Sequence, residues 1–282
     1  MEKPKKKKKS KVPYYIAVVA MLAFGGAFVY YAYDYYLYWQ DGRMAQENAD
    51  VVRDIFQGQI DGINQLMAVL PQIDAGEDAA YADVQPMGIV FDTSPLDAAR
   101  ELTNNPDIVA YLFIEGTNVN NVILQGPDNH FYLYRDMFGN HNVNGAIFLD
   151  HRNAPDFTDP NTIVYGHNMN NGTMFHNLRY YMQREFFEVH PHIKVITDDT
   201  IFVYEIFSVF STRIDFDYIQ VFFEDDEFEE LVAEIMRRSV YDTGITATGD
   251  DRILVLSTCT NVEIDTRIVV TGRLAMEITI EN

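Results

Sequence analysis

The chain of 282 residues, 48% of them hydrophobic and 13% aromatic, is long enough for one substantial domain plus an anchor, with apolar surface to spare for a core. Its net charge of -21 conceals an asymmetry: seven lysines stand in the first dozen residues against Glu2 alone, which leaves 14 basic and 41 acidic side chains, a net of -27, in the remainder. A body this acidic repels phosphate backbones, which argues against nucleic-acid binding and suits solubility outside the cell.

The lysine tail leads directly into Tyr14 to Tyr33, an uncharged run about as long as a bilayer-crossing helix. Tyr30, Tyr31, Tyr33, Tyr35, Tyr36, Tyr38 and Trp39 gather at its far end, where amphipathic rings favour the interface, and the lysines favour the cytoplasmic side. The reading is an uncleaved anchor; a cleaved signal peptide is the alternative, set against the length of the run and the lack of a clear A-x-A site. From Asp41 to Leu70, Val52, Phe56, Ile60, Ile63, Met67 and Leu70 recur every three or four residues and predict an amphipathic helix closed by Pro71. Gln72 to Val84 reads as a loop. Ser94-Pro95 then opens a short helix through Leu102, stopped at Asn105-Pro106.

Beyond Ile108 the chain alternates β-rich runs with turns: Val109 to Ile114, Val119 to Leu124, Phe131 to Tyr134, Ala146 to Leu149, Thr162 to Tyr165, Ile193 to Ile196, Ile201 to Phe210, Ile253 to Ser257 and Arg267 to Ile280. Many short strands predict a barrel or a sandwich. One late helix interrupts them, with Phe228, Leu231, Val232 and Ile235 on its apolar face, glutamates at its start and Arg237 and Arg238 at its end.

Cys259 is the only cysteine, so no intramolecular disulfide is possible. A lone cysteine is ordinarily a small buried hydrophobe, but this one ends a β-rich run, Leu256-Ser257-Thr258-Cys259, and Arg267 opens the next. A nearby cation favours the thiolate, and a guanidinium fork steadies an oxyanion; by itself Arg267 would pass for a surface arginine. Of seven histidines, His167 has the best context, following a strand and a glycine in Tyr165-Gly166-His167-Asn168-Met169. His130, His141, His151, His176, His190 and His192 read as surface residues, and the pair around Pro191 lacks further spaced ligands for a metal.

These segments, with Gly145-Ala146-Ile147-Phe148-Leu149-Asp150-His151-Arg152-Asn153, Asn105-Pro106-Asp107-Ile108-Val109, Gln125-Gly126-Pro127-Asp128-Asn129 and Ser239-Val240-Tyr241-Asp242-Thr243-Gly244, resemble class B sortases in the same order from Ser94 to the C-terminus. Two departures stand out: Val255 where the family often has threonine, and Tyr111-Leu112 where it often has tryptophan and isoleucine.

The resemblance implies a mainly β fold: an eight-stranded sortase-type β-barrel with N-terminal helices and one helix in the connection before the cysteine strand, here preceded by a single transmembrane helix. The expected organisation is a basic cytoplasmic tail (1–12), an anchor (13–36), a helical region and linker (37–93) and a catalytic domain (94–282). It also implies cofactor-free cysteine transpeptidation at a Gram-positive cell surface. In that reaction Cys259 is the nucleophile, His167 the acid/base group and Arg267 the oxyanion or positioning group, with Ser257 and Thr258 lining the substrate site. A sorting signal on a surface or pilin protein is cleaved after threonine and joined to an amine of a cell-wall precursor or a pilin lysine. The expected location is the cell membrane, single-pass, with the N-terminus inside and the catalytic domain outside. A cysteine peptidase and a catalytically silent peptide-binding surface protein are the alternatives.

Overall fold

The structure is a computed structural model and describes residues 11–69, 94–213, 215–259 and 266–280. Helix α1 (Val12–Val69) contains both the apolar run and the periodic stretch. Residues up to Asp41 form a unit by themselves, and its apolar window, of mean hydropathy 1.9, has none of its surface buried. The second unit, from Gly42, holds the remainder of α1 and everything after it. Within that unit the expected stripe is the docking face: Val52, Phe56, Ile60 and Ile63 are buried, and Phe56 stacks on Tyr111 at 3.9 Å between ring centroids. Tyr111 is thus a core aromatic of its strand, with its hydroxyl donating to Asn120. Pro71, Leu70 and the loop read at 72–84 lie outside the described residues.

Helix α2 (Pro95–Thr103) begins where Ser94 accepts from the amide of Asp97, with proline at its first turn. It ends at Asn104, whose left-handed conformation (φ 51) returns its amide to the last turn. Eight strands follow: β1 (Ile108–Phe113), β2 (Asn120–Leu124), β3 (Ile147–Leu149), β4 (Asn161–His167), β5 (His192–Ile196), β6 (Thr200–Arg213), β7 (Ile253–Cys259) and β8 (Thr266–Thr279). They close into a barrel in the order β1-β2-β3-β4-β7-β8-β6-β5, antiparallel except for the parallel pairs β2–β3 and β4–β7. Parallel neighbours need long connections, and the β4-to-β7 crossover carries β5, β6, a short helix α3 (Arg184–Val189) and the expected late helix α4 (Glu227–Arg238). All four apolar residues assigned to α4 are buried.

One predicted strand is a helix turn. Phe131–Tyr134 is aromatic and β-prone, yet it forms a 3₁₀ turn because the Asp128 carboxylate accepts from the amides of His130 and Phe131 at 2.8 and 2.9 Å and bends the chain first. A second 3₁₀ segment, Phe175–Met182, and α3 carried no signal strong enough to be read from the sequence.

Polar side chains pin the strand ends that border β4. Asp150, fully buried just after β3, accepts from Arg152 through both of its oxygens, from Asn129 and from the Tyr165 hydroxyl on β4 at 2.9 Å. Asn153 donates to Asp159 and to the Asn161 carbonyl, and accepts from the amide of Ile163. Burial pushes the Asp150 carboxyl up, but the hydrogen bonds from Arg152, Asn129 and Tyr165 outweigh it and hold the pKa at about 2. A carboxyl depressed on folding stabilises the fold above its unfolded pKa and loses that contribution as pH falls toward the folded value. Asp150→Asn should therefore lower unfolding free energy by about 2–3 kcal/mol at neutral pH, with the deficit shrinking between pH ~5 and pH ~2. Denaturant titrations of both proteins across that range check it; a deficit that does not vary with pH contradicts it.

Candidate active site

Strands β4 and β7 run parallel in unbroken register from Asn161 opposite Ile253 to His167 opposite Cys259. Residues 92 positions apart thereby end side by side at one mouth of the barrel, on strands spaced by about 4.8 Å. Cys259 is described through its backbone. Val255, the departure from the family pattern noted above, is fully buried core in the middle of β7. Gly166 precedes the histidine for a steric reason: a Cβ there would lie 2.8 Å from the Phe175 ring, which packs across the strand.

The His167 ring is 2% exposed, and its Nε2 lies 2.7 Å from the Leu133 carbonyl. A carbonyl only accepts, so Nε2 carries the proton, and Nδ1 is the basic nitrogen of the neutral ring. That carbonyl belongs to the 3₁₀ turn misread as a strand, and the next residue, Tyr134, half-exposed, sets its ring 6.0 Å from the imidazole. Gly145 fixes the turn from beneath: at φ +60, a Cβ would sit 2.5 Å from the Leu133 oxygen and 2.7 Å from that of Tyr132. Leu133 and Tyr134 are site elements the sequence reading missed. The Asp128 turn and the glycine before Ile147 are the signals that could have revealed them.

Arg267, near the start of β8, is half-buried and donates through Nη1 to the Thr258 carbonyl at 3.1 Å, so its guanidinium stands beside the residue preceding the cysteine. Thr258 and Ser257 are buried and their hydroxyls are engaged: Thr258 Oγ1 accepts from the amide of Ile268 at 2.9 Å, and Ser257 Oγ lies 2.7 Å from the Tyr218 hydroxyl. The backbone therefore brings His167, Cys259 and Arg267 to one edge, with Ser257 and Thr258 directly beneath. Three of the histidines read as surface residues are partly buried instead. Burial, with Arg179 nearby, holds His176 below its ordinary pKa, and burial does the same to His192; His190 packs against Phe186 at 4.8 Å.

A family model described as "Sortase domain" matches residues 112–275. The chain is 40% identical to Sortase B of Listeria monocytogenes over 165 residues, covering 58% of this chain and 67% of that one. It is 36% identical to Sortase B of Staphylococcus aureus over 173 residues, covering 60% and 71%. Among solved structures, the Staphylococcus aureus sortase B–substrate complex superposes with a TM-score of 0.61 at 34% identity, over 64% of this chain and 84% of that one. Sortase B from Listeria monocytogenes gives 0.57 at 37% identity, over 63% and 99%.

The Leu133 carbonyl sets a tautomer that is directly observable. Ring-nitrogen NMR of His167 should show the neutral imidazole protonated at Nε2, and Gly145→Ala, which forces that carbonyl aside, should shift the Nε2 resonance and populate the other tautomer. An Nδ1-protonated ring in the unaltered protein contradicts the assignment.

Proposed function

The chain belongs to the sortase family, in its class B, and from that premise we propose that Cys259, His167 and Arg267 are its catalytic residues. Sortases are cysteine transpeptidases that attach surface proteins, and this chain is an enzyme of that kind. The register that pairs His167 with Cys259 is the observation that carries the assignment of residues.

The proposed chemistry follows from the groups at the mouth. The Cys259 thiolate attacks the carbonyl carbon after threonine in a C-terminal sorting signal, and the negative charge moves to the carbonyl oxygen, where the Arg267 fork can meet it. The carbon–nitrogen bond breaks as protonated His167 gives its Nδ1 proton to the leaving amine, leaving a thioester. An incoming amine then attacks that carbon and surrenders a proton to Nδ1. The carbon–sulfur bond breaks and the thiolate is restored. Arg267 also bonds the Thr258 carbonyl, so oxyanion support and the position of the nucleophile strand are coupled. Ser257 and Thr258 form the floor under the substrate, their hydroxyls occupied by Tyr218 and Ile268.

The substrates in this reading are sorting-signal-bearing surface or pilin proteins, and the acceptor is an amine of a cell-wall precursor or a pilin lysine. The apolar part of α1 anchors the protein in a single pass, with the lysine tail cytoplasmic and the catalytic domain outside. That arrangement delivers the thiol to the face of the membrane where surface proteins emerge.

Mass spectrometry of the full chain in detergent, incubated with sorting-signal peptides and candidate amines beside Cys259→Ala, tests the reading. The expected result is an acyl adduct on Cys259 resolved into an amine-linked product, with neither in the variant. Hydrolysed peptide alone in the presence of every amine favours the peptidase alternative, and no adduct with any peptide contradicts catalysis at Cys259. Arg267→Lys should lower turnover by about 10²-fold, because a point charge cannot reproduce the planar fork; unchanged steady-state turnover removes Arg267 from the site.

A further inference from the structure

An open polar groove adjoins the barrel mouth, and the chemistry above makes no use of it. The 3₁₀ segment Phe175–Met182 walls it with His176, Arg179 and Tyr180, and Asn168, Gln183 and Ile268 stand around it. Asn168 directly follows His167 and Ile268 directly follows Arg267 in the chain. The groove is therefore bordered by the immediate chain neighbours of His167 and Arg267, at the same end of β4 and β8.

Most of the protein's arginines are paired with a carboxylate. Arg43, Arg53, Arg100, Arg152, Arg184, Arg237, Arg238, Arg252 and Arg273 each pair with a carboxylate. Arg179 is exposed, lines the groove, and has no carboxylate within ion-pair distance among the described residues. In so acidic a body, an arginine that faces a cleft with no carboxylate beside it among the described residues is suited to an anion from outside, and its planar fork fits a carboxylate through two parallel hydrogen bonds. The exposed Tyr180 ring offers a flat wall on the same turn, and the Asn168 and Gln183 amides can pair with peptide backbone.

We propose that this groove seats the acceptor and selects an amine borne on a peptide with a free carboxylate, which Arg179 holds. The inference rests on the transpeptidase reading and deepens it. The acceptor is the second substrate to arrive: its amine must reach the thioester from a side on which His167 can take the proton, and Asn168, on the groove wall, is the residue next to His167.

The test uses the full chain in detergent, with N-acetyl-alanyl-lysyl-alanine and its C-terminal amide as acceptors, and compares the unaltered protein with Arg179→Gln. Amidation should raise the acceptor KM about tenfold in the unaltered protein and less than about twofold in R179Q, the loss of one charge-assisted contact. The first-turnover release of the leaving peptide from a sorting-signal substrate should be the same in both proteins. Slower first turnover in R179Q assigns the groove to the sorting signal and overturns the proposal, as does an unaltered protein that treats the two acceptors alike. NMR titration of each acceptor reads binding without turnover. A carboxylate-dependent affinity that R179Q abolishes supports the groove even if no acyl adduct forms, and in that case the transpeptidase reading alone fails.

Discussion

The parallel pairing of β4 with β7 is the constraint on which the rest of the structure depends. Side chains alternate faces along a strand, so a slip of one residue would turn either His167 or Cys259 to the opposite side and separate them. A parallel pair cannot be closed by a hairpin, and the 85 residues between His167 and Ile253 supply the crossover while building two of the eight strands, β5 and β6, and α4. Nearly every residue of β4 and β7 is buried, so the register is specified by packing on both faces.

Around that pair, polar groups do what apolar packing cannot, by fixing where strands stop. Asp150 ties the end of β3 to Tyr165, two residues before the candidate histidine, and Asn153 and Asn161 tie the start of β4 to the loops around it. Asp150, Asn153 and Tyr165 fall in segments that carried the family resemblance, so part of that resemblance reports strand anchoring and not chemistry. Buried polar groups of this kind are costly to break because the partner left behind remains desolvated. The same principle orders the mouth, where the Leu133 carbonyl, closely backed by Gly145, fixes which imidazole nitrogen of His167 carries the proton.

Much of this was legible in the sequence, for identifiable reasons. The stripe from Val52 to Ile63, the Ser94 cap and the buried face of α4 follow from local periodicity and capping, and the structure has them where expected. Sequence context singled out Cys259, His167 and Arg267 because each sits at the edge of a β-rich run, and the barrel brings those edges together. The Phe131–Tyr134 turn was misread because a short-range hydrogen bond from Asp128 overrode β propensity. Leu133 was invisible because it acts through its carbonyl, which every residue possesses. The wall at Phe175–Met182 has no regular period, and its role depends on packing against strands distant in sequence.

The register itself can be tested by chemistry that Cys259, as the sole cysteine, makes unambiguous. His167→Cys places a second thiol on the facing strand at a spacing of about 4.8 Å, within the range a disulfide spans. On mild oxidation the variant should lose two hydrogens by mass and protect both thiols from alkylation, whereas Asn168→Cys, one step out of register, should remain alkylatable. A His167→Cys protein that stays fully reduced while a neighbouring variant cross-links would contradict the pairing on which the proposed active site rests.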